Sequence, residues 1–419
     1  VCSSDLTFNI NVEVIGMEAT RTDTKKNEMK YEKSELELMT TYQLREICRR
    51  EKIMNGVIHP LDKEELIQTI MRYMGKRQDF LICDKKKGGE ERVEEFLKKT
   101  RIVIKPCKEL YCQSQILAYE GLSIEYYDGY TIPYKKELSG TNAFLMGSDM
   151  TLCAILNLKE HGERQEKLYL TKAAELEIRE TQRKDYRIFC MGRQTSESLY
   201  HLYYGEHTIL PEHIEVYSIP LIDFVVRKPV TLMLPMAIDF GSVNTTAGVY
   251  LDSAYFENVG EQAAVKNCRE NEINYTAFED GNGESMLLPS VIGVLAVEEE
   301  DYKLLFGYDA IRLANASYVD EGFCVFYDVK RWIGEYEKEE EIVDRQGRRR
   351  LVKRAEILRR FFLYIIRKTE NRFKCRISQV HISSPVKQKH YFRRMFREIL
   401  PEYMINQEIM LDEGMAVLY

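Results

Sequence analysis

The sequence has 419 residues but lacks an apolar run long enough to cross a bilayer. A membrane helix needs about 20 consecutive, mostly apolar residues. The longest candidate, residues 221–240, is interrupted by charges at Asp223, Arg227, Lys228 and Asp239. The first residues also lack the charged-then-apolar pattern of a signal peptide. These absences argue against a membrane partner, and we expect a cytoplasmic protein.

Cysteine and histidine are missing from the spacings that metal sites use. Ten cysteines are scattered without a Cys-x-x-Cys pair, and no histidine stands near Cys107 and Cys112. His201, His207 and His213 are six residues apart, a spacing that puts them on no single helix face. We therefore expect reduced core thiols and structural histidines rather than a zinc site or a disulfide framework.

The composition is that of an ordinary globular protein, but its charge is unevenly distributed. Hydrophobic residues make up 44% and charged residues 30%, and the length allows two or three domains. Although the net charge is −7, residues 345–397 contain 18 Lys and Arg and only two acids, Glu356 and Glu370. Such a block marks one of two things. It is either a surface that binds nucleic acid or an acidic partner, or it is the solvated faces of helices.

Neither end has the features of a natural terminus. There is no initiator Met, and residues 1–6 read VCSSDL, which can be back-translated as a common sequencing-adapter tail. The other end stops at Leu418-Tyr419, within an apolar run that has no helix-ending signal. We expect residues 1–6 to be a scar and the chain to be a fragment of a longer protein.

Residues 42–74 have the pattern of two short amphipathic helices. Asn55-Gly56 indicates a turn between them, and Asp62 with Glu65 predicts a capping box. The apolar faces are formed by Leu44, Ile47 and Cys48 in the first helix and by Leu66, Ile67, Ile70 and Met71 in the second. This arrangement resembles the SAP family of small DNA-binding modules, which implies DNA as a partner. An unspecific helical hairpin is the alternative.

The rest of the N-terminal half divides by composition. We assign residues 1–34 to the scar, a strand over 7–14 and a charged linker, residues 35–76 to the SAP-like hairpin, residues 77–100 to a second charged linker, and residues 101–230 to a β-rich accessory domain. In the last block, short runs rich in Tyr, Ile and Val predict strands at 102–104, 117–127, 152–156, 168–170, 186–191 and 214–226. No catalytic constellation occurs there, and its role stays open.

Residues 236–251, MAIDFGSVNTTAGVYL, predict a β-hairpin with a polar tip. Gly241 allows the backbone to approach a ligand closely, and the Ser and Thr hydroxyls beside it can contact phosphate oxygens. Asp239, at the end of the first strand, can accept from water molecules bound to Mg²⁺. The pattern favours a phosphate-binding hairpin, and an ordinary hairpin with a polar turn is the alternative.

Further landmarks follow in a fixed order. They are the loop and strand DGNGESMLLPSV at 280–291, the turn FGYDA at 306–310, the segment YDVKRWIG at 327–334, a helix over 355–373, a strand over 380–384 ending at Pro385, a basic helix, and a strand over 408–411 followed by Glu413. Together with the hairpin they resemble the first lobe of actin-like ATPases of the DnaK heat-shock chaperone type. The Asp-x-Lys-Arg-x-Ile-Gly signature that starts at Asp328 is absent from actin and the sugar kinases, which argues against a carbohydrate kinase.

The resemblance implies an α/β fold for residues 231–419, with a ribonuclease-H-like first lobe, and it implies ATP and Mg²⁺ as cofactors. Asp239 would hold the hydrated Mg²⁺, Lys330 would lie near the γ-phosphate and orient the attacking water, and Glu413 would support the metal-water network. The phosphates would be bound mainly through backbone N–H groups of the turn residues Gly241, Ser242, Val243, Asn244 and Thr245. Hydrolysis of a phosphoanhydride depends mostly on such positioning and charge neutralisation.

Two departures from the family bear on the hydrolysis rate: Val243 replaces a second Thr, and Gly414-Met415 replaces Pro-Thr. The second phosphate hairpin, the adenosine pocket and a substrate-binding domain do not occur in the sequence. We therefore expect half an ATP site, inactive alone, from a chaperone-type ATPase whose client peptides and co-chaperones would bind a missing C-terminal part. The alternative function is a DNA- or protein-binding targeting module fused to a degenerate actin-like domain.

Overall fold

The computed structural model describes residue 31 and residues 33–51, 62–74, 80–112, 115–161, 166–181, 185–220, 223–259, 267–280, 283–315, 324–344, 347–385 and 388–405. Over these residues the chain is mixed α/β, with several sheets. Glu413 and the strand predicted over 408–411 lie outside the described residues, as do the predicted scar, the strand over 7–14 and the Asn55-Gly56 turn. Among the described residues, no helix combines the length and apolar character that a membrane crossing requires.

Three helices form a small cluster at the N-terminal end: α1 Lys33–Glu37, α2 Thr41–Arg50 and α3 Lys63–Met74. The predicted capping box is confirmed, because Asp62 N donates to Glu65 Oε2 at 3.0 Å and Glu65 N donates to Asp62 Oδ1 at 2.9 Å. The predicted apolar faces are confirmed as well. Their buried members are Leu44, Ile47, Cys48, Leu66, Ile67 and Ile70.

The charged linker predicted over 77–100 is wrong for residues 80–100. Ile82 is fully buried, and its backbone N donates to the side chain of Asn142 at 2.8 Å. Helix α4, Gly89–Lys99, follows and buries Val93 and Leu97 against the neighbouring sheet. Seven of the eleven residues of α4 are charged, so composition alone conceals its apolar face.

A seven-stranded sheet fills most of the accessory region. Its order is β1-β8-β7-β4-β5-β6-β3, and all pairs are antiparallel except β1 with β8. The strands are β1 Arg101–Lys105, β3 Thr131–Pro133, β4 Thr141–Met146, β5 Leu152–Lys159, β6 Lys167–Thr171, β7 Arg187–Met191 and β8 His213–Pro220. A separate parallel pair is formed by β2 Gln115–Tyr119 and β9 Asp223–Arg227.

Both faces of this sheet are covered. On one face α4 and helix α5, Arg193–Tyr204, pack with the apolar side chains of the central strands. On the other face Ile116 of β2 and Phe224 of β9 join a second core. Strands occur in all six predicted segments, although β2 ends at Tyr119 and the segment 214–226 is divided between β8 and β9. Strands β3 and β4 and helix α5 were not predicted.

The C-terminal region forms one further core from many short elements. Its strands are β10 Val230–Leu232, β11 Met236–Phe240, β12 Asn244–Leu251, β13 Glu272–Tyr275, β14 Phe278–Glu279, β15 Glu284–Ser285, β16 Leu288–Pro289, β17 Ile292–Val297, β18 Tyr302–Phe306, β19 Val325–Phe326, β20 Glu339–Val343, β21 Arg349–Lys353, β22 Cys375–Ile377, β23 Gln379–Ile382 and β24 Met404–Ile405. Its helices are α6 Ser253–Val259, α7 Tyr308–Asn315, α8 Arg354–Phe373 and α9 Lys389–Ile399, with a 3₁₀ turn at Val329–Glu335.

The central sheet of this region has the order β13-β12-β11-β23-β24. The first three strands are antiparallel neighbours, whereas β23 runs parallel to β11 and β24 runs parallel to β23. Phe240 on β11 packs against Phe362 of α8 with ring centroids 5.0 Å apart, and Phe396 of α9 contacts Phe362 at 4.7 Å. The core therefore lies between this sheet and the two helices.

The basic block at 345–397 finds acidic partners within the chain. The ion pairs include Arg354–Glu335 at 2.9 Å, Arg359–Glu402 at 2.8 Å, Arg360–Asp301 at 2.6 Å, Arg372–Glu284 at 3.1 Å and Arg376–Glu370 at 3.1 Å. The acidic excess elsewhere in the sequence thus offsets this block locally. This placement favours helix faces paired inside the protein over a nucleic-acid surface.

Candidate functional site

The tip of the hairpin between β11 and β12 is a tight turn that requires glycine. Gly241 N donates to Asn244 O at 3.0 Å and closes the turn. A Cβ atom at position 241 would lie 2.4 Å from Asn244 O, a backbone atom that cannot move aside without opening the turn. The glycine is therefore needed for the shape of the tip itself, before any ligand is considered.

Ser290, just after β16, forms hydrogen bonds to the turn from its buried side. Its Oγ donates to Gly241 O at 2.8 Å, and its backbone N donates to Val243 O at 2.8 Å. Thr245 Oγ1 lies 2.8 Å from Ser290 Oγ, and both residues are fully buried. Because the single Ser290 proton is used on Gly241, the Thr245 hydroxyl is the donor to Ser290. The hydroxyl of Thr245, one of the predicted binding residues, therefore stabilises the turn.

The outer side of the turn is open to solvent. Ser242 is exposed, and the Val243 side chain is 74% exposed, which is unusual for valine. Within the described part of the chain, the backbone N–H groups of Ser242 and Val243 have no hydrogen-bond acceptor. Two neighbouring amides of this kind form a site where an anion can be held.

Asp239 is exposed at the end of β11, immediately before the turn. Its Oδ1 accepts a hydrogen bond from Ser383 Oγ at 2.5 Å. The backbones of the two strands are tied at the same level, because Ser383 N donates to Ile238 O at 3.0 Å. The predicted carboxylate and the predicted phosphate turn thus lie side by side at one edge of the sheet.

Lys330 lies in the 3₁₀ turn at Val329–Glu335, within the Asp-x-Lys-Arg-x-Ile-Gly signature. Its Nζ is 5.9 Å from the ring centroid of Phe392 on α9, the helix that follows Ser383 in the chain. Asp328, at the start of the turn, has φ 52° and ψ 41°, a left-handed conformation that is uncommon for aspartate. It forms an ion pair with Arg331, and its Oδ1 is buried without a hydrogen-bond partner among the described residues. Strained and unsatisfied groups of this kind concentrate at functional sites.

The residues at the hairpin fit a metal ion held through water molecules and substrate phosphates rather than by several side chains. Among the described residues, no three His, Cys, Asp or Glu side chains are arranged to bind one ion. Asp239 offers a carboxylate at the exposed edge beside the open amides of the turn. Mg²⁺ commonly keeps several water molecules and uses one or two carboxylates together with substrate phosphates.

Two clefts elsewhere in the described chain do not include the hairpin. One, of about 550 Å³, is lined by Tyr336, Arg359 and Glu398 near the start of α8. The other, of about 630 Å³, is lined by Glu175, Glu177 and other acids of the accessory region.

Sequence reasoning missed the two serines that organise the site. Ser290 stood out only as part of the Pro-Ser-Val landmark, and Ser383 had no predicted role. A signal for Ser383 did exist, since the predicted strand over 380–384 ends in polar residues. Its partner could not be named without the parallel register that sets Ile382 opposite Ile238.

Three basic residues of the helical cluster have contacts within the chain. Arg50 Nη2 donates to Tyr31 Oη at 2.6 Å, and Lys63 Nζ donates to Glu37 O at 2.7 Å. Arg49 lies 3.6 Å from Glu46. DNA binding by this cluster stays a prediction from the resemblance.

No protein-family model matches the chain, and no curated protein matches it.

Proposed function

We propose that the C-terminal region is the first lobe of a DnaK-like ATPase that binds ATP with Mg²⁺ and, in a complete two-lobed site, hydrolyses it. The observation that carries this proposal is the pairing of a glycine-dependent turn with a neighbouring carboxylate. The open amides of Ser242 and Val243 and the exposed Asp239 lie close together on one hairpin. Amide donors for phosphate beside an acceptor for metal-bound water are the two elements that a Mg²⁺-triphosphate site needs.

The topology of the central sheet supports the proposal. In the order β13-β12-β11-β23-β24, an antiparallel meander of three strands is continued by two parallel strands. In open sheets that contain parallel strands, ligands bind beyond the carboxyl ends of those strands. Asp239 and Ser383 lie at this end of β11 and β23.

Each of the site residues would have a separate task in the reaction. The turn amides would bind phosphate oxygens, and Asp239 would orient water molecules of the metal ion. Bound Mg²⁺ would neutralise charge on the phosphates. The ammonium of Lys330 would stabilise charge at the γ-phosphate and position the attacking water.

The single tryptophan of the sequence provides a test of binding. Trp332 lies two residues from Lys330, half-buried, with its ring 4.8 Å from that of Phe326. Titration of the full-length protein, meaning this chain together with the proposed second lobe, with Mg·ATP should change Trp332 fluorescence in a saturable manner. Gly241→Ala should abolish the change, because the added Cβ opens the turn.

A matched glycine variant serves as the control. Gly192, at the start of α5, has φ −71°, and a Cβ atom added there would meet no other atom within 4 Å. Gly192→Ala should therefore bind as the parent does. A parent protein that is folded and shows no saturable response in the millimolar range of ATP would overturn the proposal.

A further inference from the structure

We propose that Ser383 is a positioning residue that orients the Asp239 carboxylate for the metal-bound waters of a Mg²⁺-nucleotide. This inference rests on the proposed function of the hairpin. It assigns to the chain a residue that lies 144 positions from Asp239 and that the family resemblance does not place in the site.

The contact between the two side chains is built into the sheet. Strands β11 and β23 pair in parallel register with Ala237 opposite His381 and Ile238 opposite Ile382. The next positions along the two strands are Asp239 and Ser383, and the bond from Ser383 N to Ile238 O at 3.0 Å continues the ladder to that level. Backbone pairing therefore brings the hydroxyl to the carboxylate without relying on a flexible loop.

The hydrogen bond fixes one oxygen of the carboxylate. Ser383 Oγ donates to Asp239 Oδ1 at 2.5 Å. Asp239 itself is exposed, so without this donor its side chain could rotate freely. With Oδ1 held by Ser383, Oδ2 is left to accept from a water molecule. Residues that orient metal-binding groups in this way typically change metal affinity by about 10- to 100-fold when they are removed.

An ordinary structural role makes a different prediction. The pair lies at an exposed edge, where one hydrogen bond makes only a small contribution to stability. If Ser383 only joined two strand ends, its removal would lower the stability slightly and leave the metal dependence of nucleotide binding unchanged.

The test compares nucleotide affinity with and without metal in the full-length protein, read by Trp332 fluorescence. The probes are Mn·ATP and ATP in excess chelator. Ser383→Ala should weaken Mn·ATP binding by about tenfold or more and leave metal-free binding unchanged. Ser383→Thr keeps the hydroxyl and should restore the parent affinity.

A second serine on the same segment is a matched control. Ser378, just before β23, donates from Oγ to Leu232 O at 2.9 Å, at the opposite end of the strand from Asp239. Ser378→Ala makes the same chemical change there and should leave Mn·ATP affinity unchanged. Equal losses in Ser378→Ala and Ser383→Ala would overturn the positioning role.

Asp239→Asn separates failure of this inference from failure of the proposed function. If Asp239→Asn weakens Mn·ATP binding and Ser383→Ala does not, the positioning role is wrong and the metal site stands. If neither variant alters the metal dependence, or if the parent protein shows none, both the positioning role and the proposed metal site are wrong.

Discussion

Lys374 and Asp128 form a buried ion pair between the accessory region and the C-terminal region. Lys374 Nζ lies 2.9 Å from Asp128 Oδ2, and both side chains are buried. Lys374 caps α8 in a left-handed conformation with φ 51°, which disfavours a residue other than glycine by about 1 kcal/mol. Its Nζ also donates to Ser123 O at 3.2 Å. A lysine at this position joins the two regions, which a glycine could not do.

Breaking the pair from one side should destabilise the protein strongly. Asp128→Ala leaves the Lys374 ammonium buried without its counterion, and we expect a loss of about 3–5 kcal/mol in the free energy of unfolding. Adding Lys374→Gly should recover part of that loss, because glycine removes the buried charge and accepts the left-handed conformation. Chemical denaturation of Asp128→Ala, Lys374→Gly and the double variant measures the coupling free energy between the two side chains.

Glu284, a carboxylate that is more exposed than Asp128, gives the comparison. Glu284 accepts from both Arg372 and Tyr126 and is partly exposed. Glu284→Ala should cost about 1 kcal/mol or less. If Asp128→Ala costs no more than Glu284→Ala, or if the Asp128 and Lys374 effects simply add, the buried pair is not the link between the regions.

Ser290→Ala should destabilise the hairpin turn. The variant removes the donor to Gly241 O and leaves the buried Thr245 hydroxyl without its acceptor, and each such loss costs about 1–3 kcal/mol. Ser198→Ala is a control, since Ser198 Oγ donates to Gln194 O at 3.2 Å from a more exposed position on α5. Thermal unfolding should show a clear loss for Ser290→Ala only. Equal midpoints for the two variants would contradict the role of Ser290.

Local patterns in the sequence predicted the elements that bury a periodic face. Helix α8, predicted over 355–373, and the hairpin strands are confirmed within a few residues, because their apolar residues repeat at helical or strand spacing. Strand β4 was missed because all six of its residues are buried, so it shows no alternation. A linker was predicted where helix α4 lies, because the buried residues of this helix are only Gly89, Val93 and Leu97. So few apolar positions do not show a helical repeat.

Long-range contacts account for what the sequence could not predict at the candidate site. Asp239 and the turn residues are neighbours in sequence and could be found from the hairpin pattern. Ser290 and Ser383 are brought to them across 49 and 144 residues by pairing with β12 and β11. The Lys374–Asp128 pair spans 246 residues and depends on how two sheets meet. Such contacts depend on which distant strands pair and on packing between regions, and local periodicity specifies neither.

The buried Lys172 should make stability depend on pH. Burial lowers the pKa of its ammonium to about 8, from an ordinary 10.5, although Glu90, Glu175 and Glu177 oppose the shift. Between pH 8 and 10.5 the unfolded chain binds more protons than the folded chain, so the free energy of unfolding rises with pH. Below about pH 8 the full cost of burying the charge remains.

Lys172→Met removes this pH dependence and isolates it from other titrating groups. Relative to the variant, the parent should gain about 3 kcal/mol between pH 8 and 10.5. Lys167→Met, which replaces an exposed lysine on β6, should keep the slope of the parent. Urea unfolding at several pH values gives the difference, and a parent-like slope in Lys172→Met would show that Lys172 is not the group responsible.

Lys330→Ala should slow ATP hydrolysis by about two orders of magnitude or more, since a lost charge-stabilising group raises the barrier by roughly 3 kcal/mol. Mg·ATP binding should be largely retained, because the turn amides and Asp239 are untouched. Lys338, an exposed lysine paired with Glu335 at 2.9 Å, supplies the control. Lys338→Ala should hydrolyse ATP at the parent rate. Single-turnover measurements on the full-length protein separate chemistry from binding. Equal rates for Lys330→Ala and the parent would show that Lys330 does not act on the γ-phosphate.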